Sequence, residues 1–484
     1  MESEPQPLLE SHAFENDLPT GCGATLACDP RRRLHRYLML FFICFLSFGS
    51  YFCYDNPAAM QDLMIRDLRL SETDFMNLYA WYSWPNVIMC FIGGFLIDRV
   101  FGVPLGALIF AICVLLGQLL FGAGAFINNI GLIYFSRFLF GIGGESLCVA
   151  QNTYISEWFS PTELNFVFGL QLSMARVGST VNMNTMQPLY RAIAEHLNLS
   201  GYRCLGTALL IASVTCVFST LCAIVLGYFT RRAKRILSAE KTRLAIESGQ
   251  TVHAAQSKDP VPVVSLRDIP RFPAAIWIIC IICVSYYVTV FPFISLGLVF
   301  FERKFYLSVE AASIVNSLVY ILSAVASPVF GAAIDYTGRN LHWVLSSIFI
   351  GLFCHLCFAF TSVGTLPPAL IMVLLGFSYS ILASSLWPLV NFILPPHQLG
   401  TAYGLIQSVQ NLGLGVISIF AGYLVDNKGY LFLEVFFVLC LSVAMALTFV
   451  LYLWDQRHGD VLNESGASRR AKQQIPTEPV EVPA

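Results

Sequence analysis

Hydrophobic residues occur along this chain in long runs that short polar stretches interrupt. A run of about 20 apolar residues is long enough for an α-helix to cross a lipid bilayer. Because such runs recur along most of the chain, the pattern predicts twelve membrane-spanning helices. The predicted spans are 36–57, 75–97, 103–126, 130–158, 162–189, 205–229, 272–300, 309–334, 341–362, 367–394, 398–424 and 429–454.

The composition supports a polytopic membrane protein and excludes several other classes. Hydrophobic residues make up 56% of the chain and charged residues 12%, about half of the charged share of a typical soluble protein. The net charge of −2 gives no basis for nucleic-acid binding. The 15 cysteines lie mostly in apolar runs, without the spacing of a disulfide framework or a zinc site. We find no cofactor motif, and GIGGES lacks the G-x-S-x-G arrangement, so we expect no enzyme activity.

The distribution of basic residues predicts the orientation and the domain plan. Most Lys and Arg residues fall on the tails and on the even-numbered connections, which places both termini in the cytosol by the positive-inside rule. The predicted regions are a cytosolic tail (1–35), an N-terminal six-helix bundle (36–229), a basic cytosolic linker (230–270), a C-terminal six-helix bundle (271–455) and a second cytosolic tail (456–484).

The two halves of the chain repeat each other. With an offset of 235 positions, LNFVFGLQLSMARVG aligns with LGTAYGLIQSVQNLG, so that Gly169 meets Gly404 and Ser173 meets Ser408. The motifs that end in Asp98 and Asp335 form a second matching pair. The fold class is therefore an all-α membrane protein with two pseudo-symmetric bundles. A transporter with its substrate site between the bundles, near the membrane midplane, has this plan.

Two ionisable residues lie near the middle of neighbouring spans, Glu145 in span 4 and Arg176 in span 5. An ionised side chain at the centre of a bilayer is costly and normally faces a partner or an aqueous cavity. One hypothesis is that the two residues hold a small zwitterion, with its ammonium at Glu145 and its carboxylate at Arg176. The alternative is that they pair with each other and lock the two helices. In the internal repeat Arg176 corresponds to the neutral Asn411, which favours a binding role.

Other polar and aromatic residues at similar depth are candidates for the lining of such a cavity. For each of them, ordinary packing between helices is an alternative, and Asp55 is either an attractor for the ammonium or a cap on a loop. The candidates are Asp55, Tyr51, Tyr54, Tyr286, Tyr287, Trp387, Gln407 and Asn411. We expect bends at Pro57, Pro85, Pro292, Pro328 and Pro388.

The tails and loops carry short signals. Glu4, Leu8 and Leu9 form an acidic dileucine motif of the kind that clathrin adaptors bind, which predicts an endosomal or lysosomal address. Asn198 lies in a sequon on the predicted lumenal loop between spans 5 and 6, so one glycan is possible there.

The paired Gly-x4-Asp motifs and the pattern Arg137-xxx-Gly141-x-Gly143 resemble the signature motifs of the major facilitator superfamily. The first motif carries one extra residue, because Gly102 follows Asp98 by four positions instead of three. Segments such as GSYFCYDNPAA, FGIGGESLCVAQNTY and FGLQLSMARVGSTVNMN resemble, more closely, lysosomal dipeptide carriers of that superfamily, over about residues 30–458.

The resemblance implies a carrier that passes dipeptides from the lysosomal lumen to the cytosol, together with an accessory subunit, the glycosylated lysosomal membrane protein. It implies that Glu145 and Arg176 bind the dipeptide and that Arg137 belongs to the scaffold. Gating on the cytosolic side is expected of a further set: Asp98, Arg99, Asp335 and Arg339.

The coupling mechanism and the cargo stay open. Passive uniport is favoured over proton symport, because the sequence offers no second intramembrane acid on the substrate path and no charged partner for His355. The alternatives are a proton-coupled transporter of an organic anion or a sugar, and a lysosomal sensor or scaffold that transports nothing.

Overall fold

A computed structural model describes residues 29–30, 33–70, 72–247, 267, 269–361 and 366–474. Each predicted span is occupied by one long helix or by a short series of helices, and we number the spans accordingly. In the first half, span 1 comprises Arg33–Leu46, Phe48–Tyr54 and Asn56–Ala59, span 2 Glu72–Ser83 and Asn86–Leu96, span 3 Gly102–Phe126, span 4 Ile130–Trp158, span 5 Leu164–Leu197 and span 6 Gly201–Glu247.

The second half repeats this plan. Span 7 is Ala274–Phe305, span 8 Val309–Thr337, span 9 Asn340–Phe360, span 10 Pro368–Leu386 with Leu389–Ile393, span 11 Leu399–Lys428 and span 12 Tyr430–Arg457. Short helices connect or follow these spans at Gln61–Leu68, Ile269–Arg271, Pro396–Gln398 and Gly466–Gln474. The expected helical membrane fold is thus confirmed.

Ten stretches of the described chain are long and apolar enough to cross a membrane by length and hydropathy. One of them, Asn77–Phe126, covers both span 2 and span 3. Span 5 does not qualify, because polar side chains such as Asn182, Asn184 and Gln187 lower its hydropathy. A helix with so many polar groups is suited to an interior, partly aqueous position between the bundles.

Proline breaks some spans and not others. The helices of spans 1, 2 and 10 are interrupted next to Pro57, Pro85 and Pro388, as expected of a residue that lacks a backbone N–H. Pro292 and Pro328, which the sequence also suggested as bend points, lie inside single helices, spans 7 and 8.

The basic segment after span 6 does not form a helix of its own. Span 6 continues through it to Glu247 as one helix. Most of the remaining linker lies outside the described residues.

The two bundles meet along two helix pairs, span 2 against span 11 and span 5 against span 8. We call the end at which Asp98 and Asp335 lie the gate side, which is the predicted cytosolic side. No position of span 5 from Leu164 to Arg176, or of span 11 from Leu399 to Asn411, is exposed on this side. Beyond these points both helices carry exposed positions. The interface is therefore continuously buried on the gate side and is exposed to solvent or lipid towards the other end, which we call the open side.

Candidate functional site

Glu145 and Arg176 lie at nearly the same depth. Span 4 ends on the gate side at Trp158 and span 5 begins there at Leu164. With a rise of 1.5 Å per residue, Glu145 and Arg176 lie about 20 Å and about 18 Å from these two ends. Both side chains are partly exposed despite this depth, so both border accessible space.

Glu145 is held by neutral donors from both bundles. The Tyr82 hydroxyl of span 2 donates to its Oε1 at 2.9 Å. The Gln407 amide of span 11 donates to its Oε2 at 2.9 Å. The side chain of Asn411, one turn further along span 11, also lies near the carboxylate, and its Nδ2 donates to the Gln407 carbonyl at 3.0 Å. Donors thus meet both oxygens of the carboxylate.

Arg176 lies among tyrosines of the C-terminal bundle. Its Nη2 donates to the Tyr379 hydroxyl of span 10. Its guanidinium carbon lies 4.6 Å from the ring centre of Tyr320 on span 8 and 5.1 Å from that of Tyr379. The Nε–H of Arg176 is buried and has no hydrogen-bond partner in the part of the chain that the structure describes. A carboxylate is the natural ligand for such an unused donor on a guanidinium edge.

The two charges do not pair with each other. No N–O distance of 4 Å or less joins Arg176 to Glu145 among the described residues, and each has separate neutral partners. The hypothesis that their sole role is to lock spans 4 and 5 together therefore has no support in this conformation. Both charges belong to the N-terminal bundle, and each is contacted by the C-terminal bundle.

Span 1 supplies the residues around this pair. Tyr51 interacts electrostatically with both Glu145 and Arg176, and its hydroxyl lies 3.5 Å from the Sγ of Cys148. Asp55, one turn further along, hydrogen-bonds to Ser179 and interacts with Arg176. Of the residues that the sequence suggested on this span, Tyr51 and Asp55 thus lie beside the charges.

Tyr54 belongs to a different cluster, around Arg137. The Arg137 side chain is 0% exposed and donates to the backbone carbonyls of Leu78 and Tyr54, at 3.5 and 3.4 Å. Five aromatic rings surround its guanidinium at 5.3–5.9 Å, those of Tyr54, Tyr79, Tyr82, Phe121 and Phe140. These contacts tie span 4 to spans 1, 2 and 3.

The candidates on the C-terminal bundle separate into three positions. Gln407 donates to Glu145, and Asn411 lies near it. Trp387 donates to the Tyr287 hydroxyl at 3.1 Å, and the Tyr287 ring lies 6.2 Å from that of Tyr379, so this pair lies one layer behind Tyr379. Tyr286 is fully buried and bonded to Ser378 inside the bundle, and the structure does not bring it to the charges.

Asp98 and Asp335 each accept hydrogen bonds from the start of a helix in the opposite bundle. Asp98 accepts from Gly400 N at 3.1 Å, Thr401 N at 2.6 Å and the Thr401 hydroxyl at 2.7 Å. Asp335 accepts from Asn165 N, Asn165 Nδ2 and Phe166 N at 3.1, 2.7 and 2.7 Å. Carboxylates are stabilised by the free N–H groups and by the positive end of the dipole at a helix N-terminus.

The extra residue after Asp98 is absorbed by a π-helical turn. Residues Ile97–Phe101 form this wider turn between spans 2 and 3. A π turn is the usual result of one inserted residue in a helix. Gly102 and Gly338 then share the same backbone φ of +67°, so the connection ends alike in both halves.

Arg99 and Arg339, which are predicted to act in gating, follow Asp98 and Asp335 closely in the sequence. The Arg99 guanidinium lies 5.8 Å from the Phe95 ring centre. Arg339 adopts a left-handed φ of +56°, and its backbone N–H donates to the carbonyl of Glu464 at 3.0 Å.

His355 has a partner that the sequence analysis missed. Its Nδ1 lies 2.8 Å from Glu434 Oε2, and both residues are 0% exposed, within spans 9 and 12. The sequence interpretation that His355 lacks a charged partner is therefore wrong. Glu434 was overlooked because it lies near the end of its span, where an acid is common.

Tyr82, Tyr320 and Tyr379, which contact the two charges, were also missed. Tyrosine is an ordinary residue in an apolar helix, and no spacing in the sequence shows which face meets the other bundle. Glu4, Leu8 and Leu9 lie outside the described residues. Asn198 is exposed at the end of span 5, and its glycosylation stays a prediction.

Comparisons with known proteins agree with this architecture. The Major Facilitator Superfamily model matches residues 40–417 and 278–478. The chain is 53% identical over 447 residues to the lysosomal dipeptide transporter MFSD1 of Danio rerio, covering 92% of this chain and 93% of that protein. It is 51% identical over 471 residues to the protein of the same name from Homo sapiens, covering 97% of both.

Among solved structures, a bacterial homologue of the iron transporter ferroportin in an outward-facing state superposes with a TM-score of 0.66. It is 11% identical in sequence, and the match covers 86% of this chain and 99% of that one. At this identity the likeness concerns the fold alone. From the matching family model and from relatives that align over nearly the whole length, the chain belongs to the major facilitator superfamily and is a transporter of that type.

Proposed function

We propose that this protein is a lysosomal carrier that exports dipeptides from the lumen to the cytosol by alternating access, as a uniporter. The observation that carries the proposal is the arrangement of Glu145 and Arg176. They lie at one depth, they are not paired with each other, and Arg176 keeps an unused donor. The names of the relatives, lysosomal dipeptide transporters, support the same cargo.

Two fixed charges recognise what all dipeptides share. The α-ammonium and the α-carboxylate are present whatever the side chains are, and in an extended dipeptide they lie about 7 Å apart. We assign the ammonium to Glu145 and the carboxylate to the free edge of Arg176, with Tyr51 close to both. Asp55, near Arg176 on the open side, adds a second negative charge along the path.

Binding is coupled to bundle movement because the present partners of both charges cross the interface. Gln407 bonds to Glu145 from span 11, and Tyr379 bonds to Arg176 from span 10. A dipeptide that takes over these bonds releases the C-terminal bundle from direct contact with the charges. The substrate then bridges the bundles, and rocking about it exposes the site on the opposite side.

On the predicted orientation, the structure corresponds to the state that loads substrate from the lumen. The gate side is closed by the Asp98 and Asp335 contacts and is predicted to be cytosolic. Export to the cytosol requires both contacts to break. Lumenal loading, closure around the dipeptide and cytosolic release then complete one cycle without any other driving ion.

A proton-coupled version of the same carrier is the second candidate. The buried pair of His355 and Glu434 favours it, because it places a titratable site inside the C-terminal bundle. Against a role in coupling, the pair packs among the rings of Phe293, Phe358 and Phe437 and not beside Glu145 or Arg176. Uniport therefore remains our proposal.

The proposed location and partners rest on the sequence. The dileucine motif at Glu4, Leu8 and Leu9 would be bound by clathrin adaptors and would direct the protein to lysosomes. The glycosylated lysosomal membrane protein is the proposed accessory subunit. Conversion of Leu8 and Leu9 to alanine is expected to move the protein to the cell surface, which surface biotinylation measures. Unchanged lysosomal localisation would contradict the sorting role.

The function is tested with the purified chain in proteoliposomes. We expect uptake of radiolabelled dialanine down its gradient and acceleration of uptake by unlabelled dialanine inside. With equal pH on both sides, the final internal and external concentrations should be equal. Absence of dialanine uptake would contradict the cargo. Accumulation that requires a pH gradient would instead support the proton-coupled candidate.

A further inference from the structure

The chain after span 12 folds back across the gate side of the C-terminal bundle. Asp455, in the last turns of span 12, accepts hydrogen bonds from the backbone N–H groups of Leu462 and Asn463, both at 2.9 Å. The Leu462 side chain is 1% exposed, so this return is packed and not merely close. We call residues 458–471 the return segment.

The return segment then lies against the turn between spans 8 and 9. The carbonyl of Glu464 accepts from Arg339 N at 3.0 Å, and Ser465 forms a backbone bridge with Gly338. A Cβ on Gly466 would overlap the carbonyl oxygen of Tyr336, so only glycine permits this approach. The contact supports the turn in which Gly338 and Arg339 both have positive φ.

Arg469 connects the return segment to the Asp335 contact. It is 7% exposed, and its Nη1 donates to Asn340 Oδ1 at 3.2 Å. Asn340 Nδ2 donates to Asn165 Oδ1 at 2.6 Å, and Asn165 Nδ2 donates to Asp335 Oδ1 at 2.7 Å. Two hydrogen bonds thus lead from the C-terminal segment to Asn165 at the start of span 5 in the opposite bundle, and the third returns from Asn165 to Asp335 on span 8.

Further contacts hold Arg469 in this position. Its Nη2 donates to the carbonyl of Leu462 at 3.4 Å, and its guanidinium lies 4.1 Å from the Phe392 ring centre. Burial lowers the pKa of the Arg469 guanidinium, while the carboxylates of Glu464, Asp335 and Asp455 act in the opposite direction. An arginine nonetheless remains protonated in proteins. The neighbouring Arg470 donates to the backbone carbonyls of Asp335 and Tyr336 at 3.4 and 3.2 Å.

We propose that the return segment is a latch on the gate between spans 5 and 8. Arg469 is a positioning residue that acts through Asn340 to hold Asn165 against Asp335 in the closed arrangement. Opening of the gate side separates Asn165 from Asn340, while Asn340 keeps its hydrogen bonds to Arg469 and to the Ser385 carbonyl. Any process that lifts the return segment therefore raises the population of gate-open carrier. The proposal rests on the alternating-access cycle proposed above and assigns a regulator to it.

The latch is positioned to be released. A polar cleft lies between the return segment, the turn after span 8 and the end of span 12, and it is lined by Arg339, His342, Tyr452, Asn463, Glu464 and Ser468. Its lining includes both partners of two hydrogen bonds of the return segment, that between Arg339 N and the Glu464 carbonyl and that between His342 and Asn463. At the corresponding gate, the hydrogen bonds to Asp98 likewise come from the start of the facing helix, span 11.

The test uses the full-length chain in lipid nanodiscs and hydrogen–deuterium exchange. Arg469→Ala and, separately, Gly466→Ala remove the latch, and Ala467→Ser, which keeps a side chain at an exposed neighbouring position of the same helix, is the control. The decisive signal is the backbone amides of Gly400 and Thr401, which Arg469 does not contact. Because the bundles move as rigid bodies, release of the latch should accelerate exchange there as well as at Phe166, by about threefold, since the lost hydrogen bond is one step removed from the gate.

If the return segment only stabilises the turn between spans 8 and 9, the pattern of exchange is different. Exchange would then rise only near residues 336–342 and 462–471, with Gly400 and Thr401 unchanged, and that result would overturn the latch. Thermal stabilisation by dialanine is measured in the same samples. If wild-type chain shows no stabilisation by dialanine, the proposed cargo fails while the exchange result still decides the latch. If stabilisation is present and exchange at Thr401 is unchanged in both variants, the latch alone fails.

Discussion

The two interfaces between the bundles are built alike and carry opposite charges. On each, an aspartate at the gate side accepts hydrogen bonds from the start of a helix across the interface: Asp98 from Gly400 and Thr401, and Asp335 from Asn165 and Phe166. These helix starts are the same positions in the repeat, 235 residues apart. The gate therefore consists of two equivalent contacts between an aspartate and a helix N-terminus.

Glycines at equivalent positions of the two interfaces also have equivalent surroundings. A Cβ on Gly404 would overlap the Cys90 carbonyl, and a Cβ on Gly169 would overlap that of Ser327. Ser408 and Ser173, one turn further, bond to backbone groups of the facing helices. Backbones can therefore approach each other closely on both interfaces, as small residues permit in membrane helices.

The interfaces differ at the membrane midplane. Next to one lies Glu145 with Gln407, and next to the other lies Arg176 with Tyr320 and Tyr379. Asn411 occupies the position of Arg176 in the second half of the repeat, and its side chain lies near Glu145 instead. Both halves of the scaffold therefore keep the gate contacts, whereas the midplane residues that select the cargo differ between the halves. The following predictions test this separation of roles.

The largest effect is expected from Arg176→Ala. Removal of the guanidinium takes away the only partner proposed for the dipeptide carboxylate, so dialanine uptake in proteoliposomes should fall about 100-fold. Arg191→Ala, an exposed arginine on the same helix, is the matched control and should transport normally. Retained uptake by the Arg176 variant, with normal expression and melting, would remove the charge-pair account.

Glu145→Gln should have the next largest effect. The amide keeps hydrogen bonds to Tyr82 and Gln407 within reach but loses the charge that attracts the ammonium, so the Kd for dialanine should rise about 30-fold. Isothermal titration calorimetry measures this. The exposed Glu195, changed to glutamine, serves as the control. Equal affinity in wild type and Glu145→Gln would contradict the assignment of the ammonium.

Gly404→Ala and Gly169→Ala test the shared scaffold. The added methyl would push apart the facing backbones on the gate side, so turnover should fall roughly tenfold through a less stable closed state. Both variants should be affected to a similar extent, since the two interfaces are equivalent there. Gly415→Ala is the control, because a Cβ at that position of span 11 meets nothing within 4 Å. Normal turnover in both variants would show that close approach is not needed.

The smallest effect is expected from Asp98→Ala and Asp335→Ala. Loss of a helix cap costs about 1 kcal/mol, which corresponds to about a fivefold shift toward the gate-open state. Exchange of the amide at the other gate measures it, Phe166 for Asp98→Ala and Thr401 for Asp335→Ala. Asp335→Ala should be the milder change if the return segment still holds the turn beside it. A larger effect at Asp335 than at Asp98 would indicate that the return segment adds nothing to closure.

Much of this arrangement was visible in the sequence because hydrophobicity and repetition are one-dimensional signals. The lengths of the apolar runs predicted the spans, and the repeat predicted two bundles. Glu145 and Arg176 stood out because a charge in an apolar run is costly. Asp98 and Asp335 stood out because they occupy matching motifs.

The missed features depend on which helix faces which. Tyr379 and Tyr320 look like ordinary aromatics in apolar runs, and only the packing of spans 8 and 10 against span 5 brings them to Arg176. His355 and Glu434 lie on helices distant in sequence. The sequence predicts only a polar tail where the return segment lies, because most of the acceptors of Arg469 and Arg470 are backbone and side-chain groups that lie more than 100 residues away in the chain.

The account depends most on the claim that both ends of a dipeptide are recognised at once. The direct measurement is calorimetric binding of dialanine, N-acetyl-dialanine and dialanine amide to the wild-type chain. We predict that each blocked form binds at least about tenfold more weakly than dialanine, because each leaves one buried charge without its partner. Binding of either blocked form with the affinity of dialanine would contradict the claim.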